Sequence, residues 1–218
     1  MKSILIVLTI LSLLAVVGML IFVYVVQNVE QPDYTLIAQD GAFEIRDYPA
    51  LVVAEVRTKG DRQQGLSSGF QPLARYIFAK ERGGEQKIAM TAPVLQQAPT
   101  SASNQRIAMT APVIQSPADD DQWAVRFIMP SKFQLADLPA PAGNDIRLQE
   151  IPARRMATVR FSGRTTDMLM MDQERMLTEW IQARELQAVG PPLYAYYNDP
   201  FTPGFLRRNE VMIEVGGN

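Results

Sequence analysis

The stretch Tyr48–Gly60, YPALVVAEVRTKG, returns at Ile151–Gly163 as IPARRMATVRFSG. Aligned on their prolines, the copies share Pro49/Pro152, Ala50/Ala153, Ala54/Ala157, Val56/Val159, Arg57/Arg160 and Gly60/Gly163. Each reads as a β-strand entered from a turn. The same offset carries Leu66, Leu73, Ala74 and Ile77 onto Leu169, Met176, Leu177 and Trp180, a helical spacing in both copies. The repeated unit is therefore a strand with the helix that follows it. Two copies of one unit predict a pseudo-symmetric body with a seam, and seams are where pockets form.

Outward from the repeat, the chain alternates strands and turns. Tyr34–Ala38 and Phe43–Tyr48 are strand-like and split by Asp40-Gly41, a hairpin signal. Leu51–Thr58 follows as a strand, Gly60–Gly69 reads as a polar turn, and Phe70–Glu81 has helical spacing with Ser67 or Ser68 as cap. Because Pro72 is tolerated only in a first turn, the helix is predicted to start between Ser68 and Gln71. A tighter duplication comes next: KIAMTAPVLQ at Lys87–Gln96 and RIAMTAPVIQ at Arg106–Gln115. Each is β-prone, with a proline that belongs at a strand end or edge. Further strands are predicted at Trp123–Met129, Ile146–Ile151, Arg155–Phe161, Leu193–Tyr197 and Glu210–Val215, with a helix over Asp167–Leu186 capped by Thr165 or Thr166. Each half is strand, strand, helix, strand, strand, which excludes a doubly wound parallel sheet. The expected fold is α+β: a pseudo-twofold repeat of ββαββ forming a distorted antiparallel eight-stranded barrel with two long helices.

The N-terminus is of another kind. Ile4–Val26 carries no charge, and as a helix it would cross a hydrocarbon core of about 30 Å. The run is longer than the apolar region of a cleaved signal peptide. Residues 1–30 are thus read as a single-pass transmembrane anchor and 31–218 as one domain, its halves at about 34–130 and 145–216. Lys2 precedes the span while Glu30 and Asp33 follow it, which puts the N-terminus in the cytoplasm and the domain on the outer face, periplasmic in a Gram-negative cell.

Composition removes more chemistry than any motif adds. The 218 residues include no cysteine and no histidine, so there is no disulfide, thiol nucleophile, Ser-His-Asp triad or histidine ligand to haem iron. At 47% hydrophobic and a net charge of -2 the chain is a folding sequence without the basic surface that nucleic acid demands. No GxSxG, P-loop or GxGxxG occurs, and no carboxylate pair stands out for acid-base work. The twin AMTAPV segments, with Met90, Thr91, Met109 and Thr110, suit either a packed sheet face or a polarisable pocket wall. Met168, Met170 and Met171 read as adaptable packing, Asp119–Asp121 as a solvated loop. Arg207-Arg208, beside Phe201 and Phe205, would either receive the carboxylates of a flat ligand or lock a turn through Glu210.

KIAMTAPV after the first helix, then WAVRFIMPSKF, IPARRMATVRFSG and YNDPFTPGFLRRNEV, together resemble the SOUL or haem-binding protein family from about Tyr34 to Val215. The doubled AMTAPV and the anchor resemble its bacterial branch. The resemblance implies a distorted eight-stranded barrel of two similar halves, like effector-binding domains of some bacterial transcription regulators. It also implies non-catalytic binding of haem or another tetrapyrrole in an apolar groove against the first helix. Carried over through Ala74-Arg75-Tyr76-Ile77, the groove falls on Phe70 and Ala74 as wall and Arg75 as charge partner; a second basic position of the family falls at about Ser67. The reading is a membrane-anchored carrier, buffer or sensor of a flat hydrophobic ligand. The rival is a groove that holds an apolar segment of another protein.

Overall fold

A computed structural model describes residues 29–78, 88–97, 122–198 and 202–216, with some helical residues between 6 and 18. Among the described residues no helix is long and apolar enough to cross a membrane, and most of the predicted span, Ile4–Val26, lies outside them. So do the second AMTAPV copy and Asp119–Asp121.

Among the described residues ten strands form one antiparallel sheet: β1 (Thr35–Asp40), β2 (Phe43–Tyr48), β3 (Leu51–Thr58), β4 (Val94–Gln97), β5 (Trp123–Ile128), β6 (Arg147–Ile151), β7 (Arg154–Phe161), β8 (Gln187–Ala188), β9 (Leu193–Tyr196) and β10 (Asn209–Gly216). Helix α1 is Arg62–Ile77 and α2 is Asp167–Ala183. The spatial order is β1-β2-β7-β10-β9-β4-β5-β3-β6, with β8 added to β10. Matching β2, β3, α1, β4 and β5 with β6, β7, α2, β9 and β10 makes the order from β2 to β6 read the same from either end. The antiparallel β4/β9 pair, with Leu95 opposite Ala195, lies at its centre.

The expected closed barrel of eight strands is instead an open sheet. The free edge of β2, which a ring would need, is taken by β1, folded back with Asp40 opposite Phe43. β6 ends the other side. The first strand of each unit pairs with the other unit: β2 with β7, and β6 with β3. The repeated glycines explain themselves, since Gly60 and Gly163 leave β3 and β7 at φ of 102° and 126°, a region side chains avoid.

Alternation along the strands sorts side chains onto two faces. Ala54, Val56, Val125, Phe127, Ala157, Val159, Val211 and Ile213 join Leu73, Ile77, Leu177 and Ile181 of the helices in the main core. Val53, Leu95, Ile128, Met156, Leu193 and Met212 form a smaller cluster on the other face.

Two expectations about the helices are corrected. α1 begins eight residues or so before Phe70, because Asp61 caps it by accepting from the Gln64 amide at 2.8 Å, and Gly65 and Gly69 lie within it. They are contact residues: a Cβ on Gly69 would stand 2.6 Å from Val125 Cβ. Pro72 sits inside the helix, where it denies a donor to the Ser68 carbonyl. That turn carries exposed Ser67, Ser68 and Gln71, so water can serve the carbonyl. The second correction is one of phase. Leu73 is buried, yet its aligned partner Met176 is 40% exposed and Leu177 fills the core. Leu73 and Ile77 therefore correspond to Leu177 and Ile181, one residue beyond the offset that aligns the strands.

Candidate functional site

One face of α1, Gly65, Gly69, Leu73, Tyr76 and Ile77, is committed to the sheet. Beside it runs a second stripe at four-residue spacing, Leu66, Phe70 and Ala74, only half-buried against the core. Phe70 and Phe127 meet edge-to-face with ring centroids 5.2 Å apart, and Phe70 stays only partly buried. Phe78, 43% exposed, follows at the helix C-cap. The helix thus brings Phe70 and Ala74 onto one line, with the exposed Arg75 beside them. Ser67 and Arg75 lie on the same exposed stripe, about 12 Å apart along the axis at 1.5 Å per residue. None of Phe70, Ala74 and Arg75 lines the three hollows described next.

The opposite face of the sheet is crossed by the connector. The Glu30 carbonyl accepts from the Ala92 amide at 2.9 Å, the Glu30 carboxylate from the Ser131 amide at 2.7 Å, and Gln31 Oε1 from Arg208 Nη1 at 2.9 Å. Tyr34 lies over the Arg46 guanidinium at 4.4 Å. A hollow of about 290 Å³ separates Glu30–Asp33 from Leu51, Thr91 and Ile128–Phe133. Under Pro32, between Tyr48, Leu95, Met156 and Met212, only about 20 Å³ is free, room for about one water. A third, open groove of about 620 Å³ runs between Gly41–Glu44, Arg160–Ser162 and Phe205–Arg208.

Two buried ionic clusters stiffen this face. Arg46, fully buried, donates to both oxygens of Glu210 at 2.9 and 3.1 Å, to Glu44 at 2.6 Å and to the Tyr48 hydroxyl. Tyr197 and Arg208 also donate to Glu210. Burial alone would raise the Glu210 carboxyl; the hydrogen bonds and charge of Arg46, with Arg208, more than offset it and hold the group below the usual carboxylate value. Glu55 is likewise penalised by burial but brought below its usual value by Arg126, which bonds it at 2.6 Å. Burial pushes the Tyr48 hydroxyl up to about 12. These matched charges are structural, and sequence reading missed them. Arg208 bonds Glu210 at 2.8 Å and stacks 3.9 Å from Tyr197, so the turn-locking reading of Arg207-Arg208 holds for Arg208. Met168 and Met171 are exposed, and Thr91 is buried, donating to the Ile128 carbonyl.

An open antiparallel sheet with one helix per unit, and a half-buried apolar stripe bordered by a cation, defines an α+β domain without a visible catalytic constellation among the described residues. The model described as SOUL heme-binding protein matches residues 29–105 and 100–214, and the chain belongs to that family. A comparison with curated proteins found no match. Among solved structures, the EcmrR C-terminal domain aligns at 12% identity and a TM-score of 0.56, covering 85% of this chain and 99% of that one. EcmrR in a complex with DNA aligns at 14% and 0.55, over 81% of this chain; the alignment spans 57% of EcmrR's length. A hydrolase from Listeria innocua aligns at 12% and 0.52, covering 83% and 94%. At such identities these likenesses concern the fold alone.

Proposed function

We propose that this protein is a membrane-anchored carrier, buffer or sensor for haem or another flat tetrapyrrole, held against α1. The observation that carries the reading is the half-buried Leu66, Phe70, Ala74 stripe beside Arg75, in a chain that belongs to a haem-binding family. Phe70 and Ala74 supply the apolar wall and Arg75 faces a ring carboxylate. The donor set limits the rest: with no histidine or cysteine in the chain, a protein ligand to haem iron has to come from methionine or tyrosine. The tetrapyrrole brings the pigment and any redox chemistry; the protein's part is burial and orientation. Ile4–Val26 serves as the anchor, with the domain on the outer face.

Full-length protein in detergent, titrated with haem, is expected to shift the Soret band and quench tryptophan fluorescence. Arg75→Glu is expected to weaken binding several-fold, and Ala74→Glu to weaken it further. Equal affinity in all three proteins, with circular dichroism unchanged, overturns the α1 site. Crosslinking from Phe70 in native membranes that captures one defined protein, with no pigment co-purifying, favours the rival occupant.

A further inference from the structure

The groove between Gly41–Glu44 and Phe205–Arg208 carries a combination found at no other described site. Phe205 is 78% exposed and Leu206 44%, in a short turn whose neighbours are arginines. Arg160 and Arg207 line the same groove. Arg164 lies against Gly204, and the Gly163 amide donates to the Gly204 carbonyl at 2.9 Å, so Arg164 belongs to this rim too. The groove's acid, Glu44, is already engaged by Arg46 at 2.6 Å. Exposed apolar tips ringed by cations are the chemistry of a surface that meets anionic headgroups, the rings entering the interface and the guanidinium groups staying among phosphates.

The connector says which way this rim faces. Gln31 is bonded to Arg208 at 2.9 Å, and only five positions separate Gln31 from Val26, the last residue of the apolar run. Fully extended, five residues reach about 17 Å. If Ile4–Val26 spans a bilayer, the Gln31 backbone is therefore held within about 17 Å of the hydrocarbon edge, of which the polar layer of a bilayer accounts for about 5–8 Å, and Arg208 lies one side-chain hydrogen bond beyond it. Phe205 lies three residues before Arg208.

We propose that the Phe205–Leu206 turn, with Arg160, Arg164 and Arg207, docks on the anionic surface of the bilayer that holds the anchor, fixing the domain's orientation. This rests on the anchor reading above. The absence of cysteine makes the test direct, because F205C carries a unique thiol. Full-length F205C, labelled with an environment-sensitive fluorophore, is reconstituted into vesicles of phosphatidylcholine alone or with phosphatidylglycerol. V189C is the control: Val189 is 57% exposed and bonded to Glu214 toward the far end of β10, roughly 20 Å from Arg208 at about 3.3 Å per residue.

The expected result is blue-shifted emission, quenched by a bilayer-embedded nitroxide, for F205C in the anionic vesicles. The shift should be smaller in phosphatidylcholine and absent for V189C. Adding R160E and R164E to F205C should remove the lipid preference. Water-like emission from F205C in protein that floats with the vesicles and resists carbonate extraction overturns the docking surface and leaves the anchor standing, as does an identical shift in both lipids. Release by carbonate overturns the anchor and the docking with it.

Discussion

Gly69→Ala tests how closely α1 lies on the sheet. The new Cβ would stand 2.6 Å from Val125 Cβ and 2.7 Å from its Cγ2, against about 3.5–4.0 Å for carbon contacts. Val125 is fully buried, and its Cβ is fixed to the β5 backbone, so no rotamer change relieves the closer contact. The helix has to lift by about 1 Å, an overpacking that costs about 3 kcal/mol at the upper end of its range. Alanine returns about 1 kcal/mol of helix propensity over glycine. The net expectation is a loss of about 2 kcal/mol, or about 4–8 °C in Tm for a domain of this size. Urea unfolding followed by the fluorescence of Trp123 and Trp180 reads it, with Ser68→Ala on the exposed face of the same helix as a control expected to be neutral or slightly stabilising. Because Phe70 adjoins the displaced residue, haem affinity should fall in parallel. A G69A protein more stable than the parent by the helix-propensity gain would refute the close approach.

Three further outcomes follow from the ionic and polar clusters. Glu210→Gln leaves buried Arg46 with Glu44 as its one remaining carboxylate partner and should cost about 3 kcal/mol in urea unfolding at neutral pH. Since Glu210 is held below the usual carboxylate value, its stabilisation is complete above about pH 4.5 and lost as pH falls through the lower folded value; acid unfolding of E210Q should start from lower stability and be flatter there. The Tyr48 hydroxyl, raised to about 12 from an ordinary value near 10, contributes stability that is intact below about pH 10. Roughly 3 kcal/mol is then lost as pH rises toward the folded value, and Tyr48→Phe should lessen the alkaline decline. Arg62 donates to Asp167 at 2.8 Å, to the Tyr196 hydroxyl at 2.8 Å and to the Thr165 carbonyl. Arg62→Met should therefore cost about 2 kcal/mol through the lost charge-assisted hydrogen bonds and speed amide exchange at the start of both helices.

Strand positions were legible because alternation and turn residues are local signals. Predicted Phe43–Tyr48 and Leu51–Thr58 are β2 and β3 to the residue, and Trp123–Met129 overshoots β5 by one. The start of α1 was not, because Gly65 and Gly69 read as turn residues when their reason is tertiary. Their spacing with Leu73 and Ile77, four residues each time, was the available clue. Pairing order was beyond reach as well, since nothing in YPA or IPA tells that the strands on either side of the proline part company and join opposite units. The Phe70, Ala74, Arg75 set came from a family resemblance; helical spacing explains why the first two share a line. The Arg46/Glu210 pair, 164 positions apart, had no local signature that distinguishes a buried arginine from a solvated one.

The exchange of first strands governs how this protein can be made. Until β7 has left the ribosome, β2 has only the β1 hairpin beside it, and β3 lacks β6 on its outer side for about a hundred residues of synthesis. Such long-range closure is slow and leaves sticky edges waiting. The two units, however alike, are not separable building blocks, because each lends its first strand to the other.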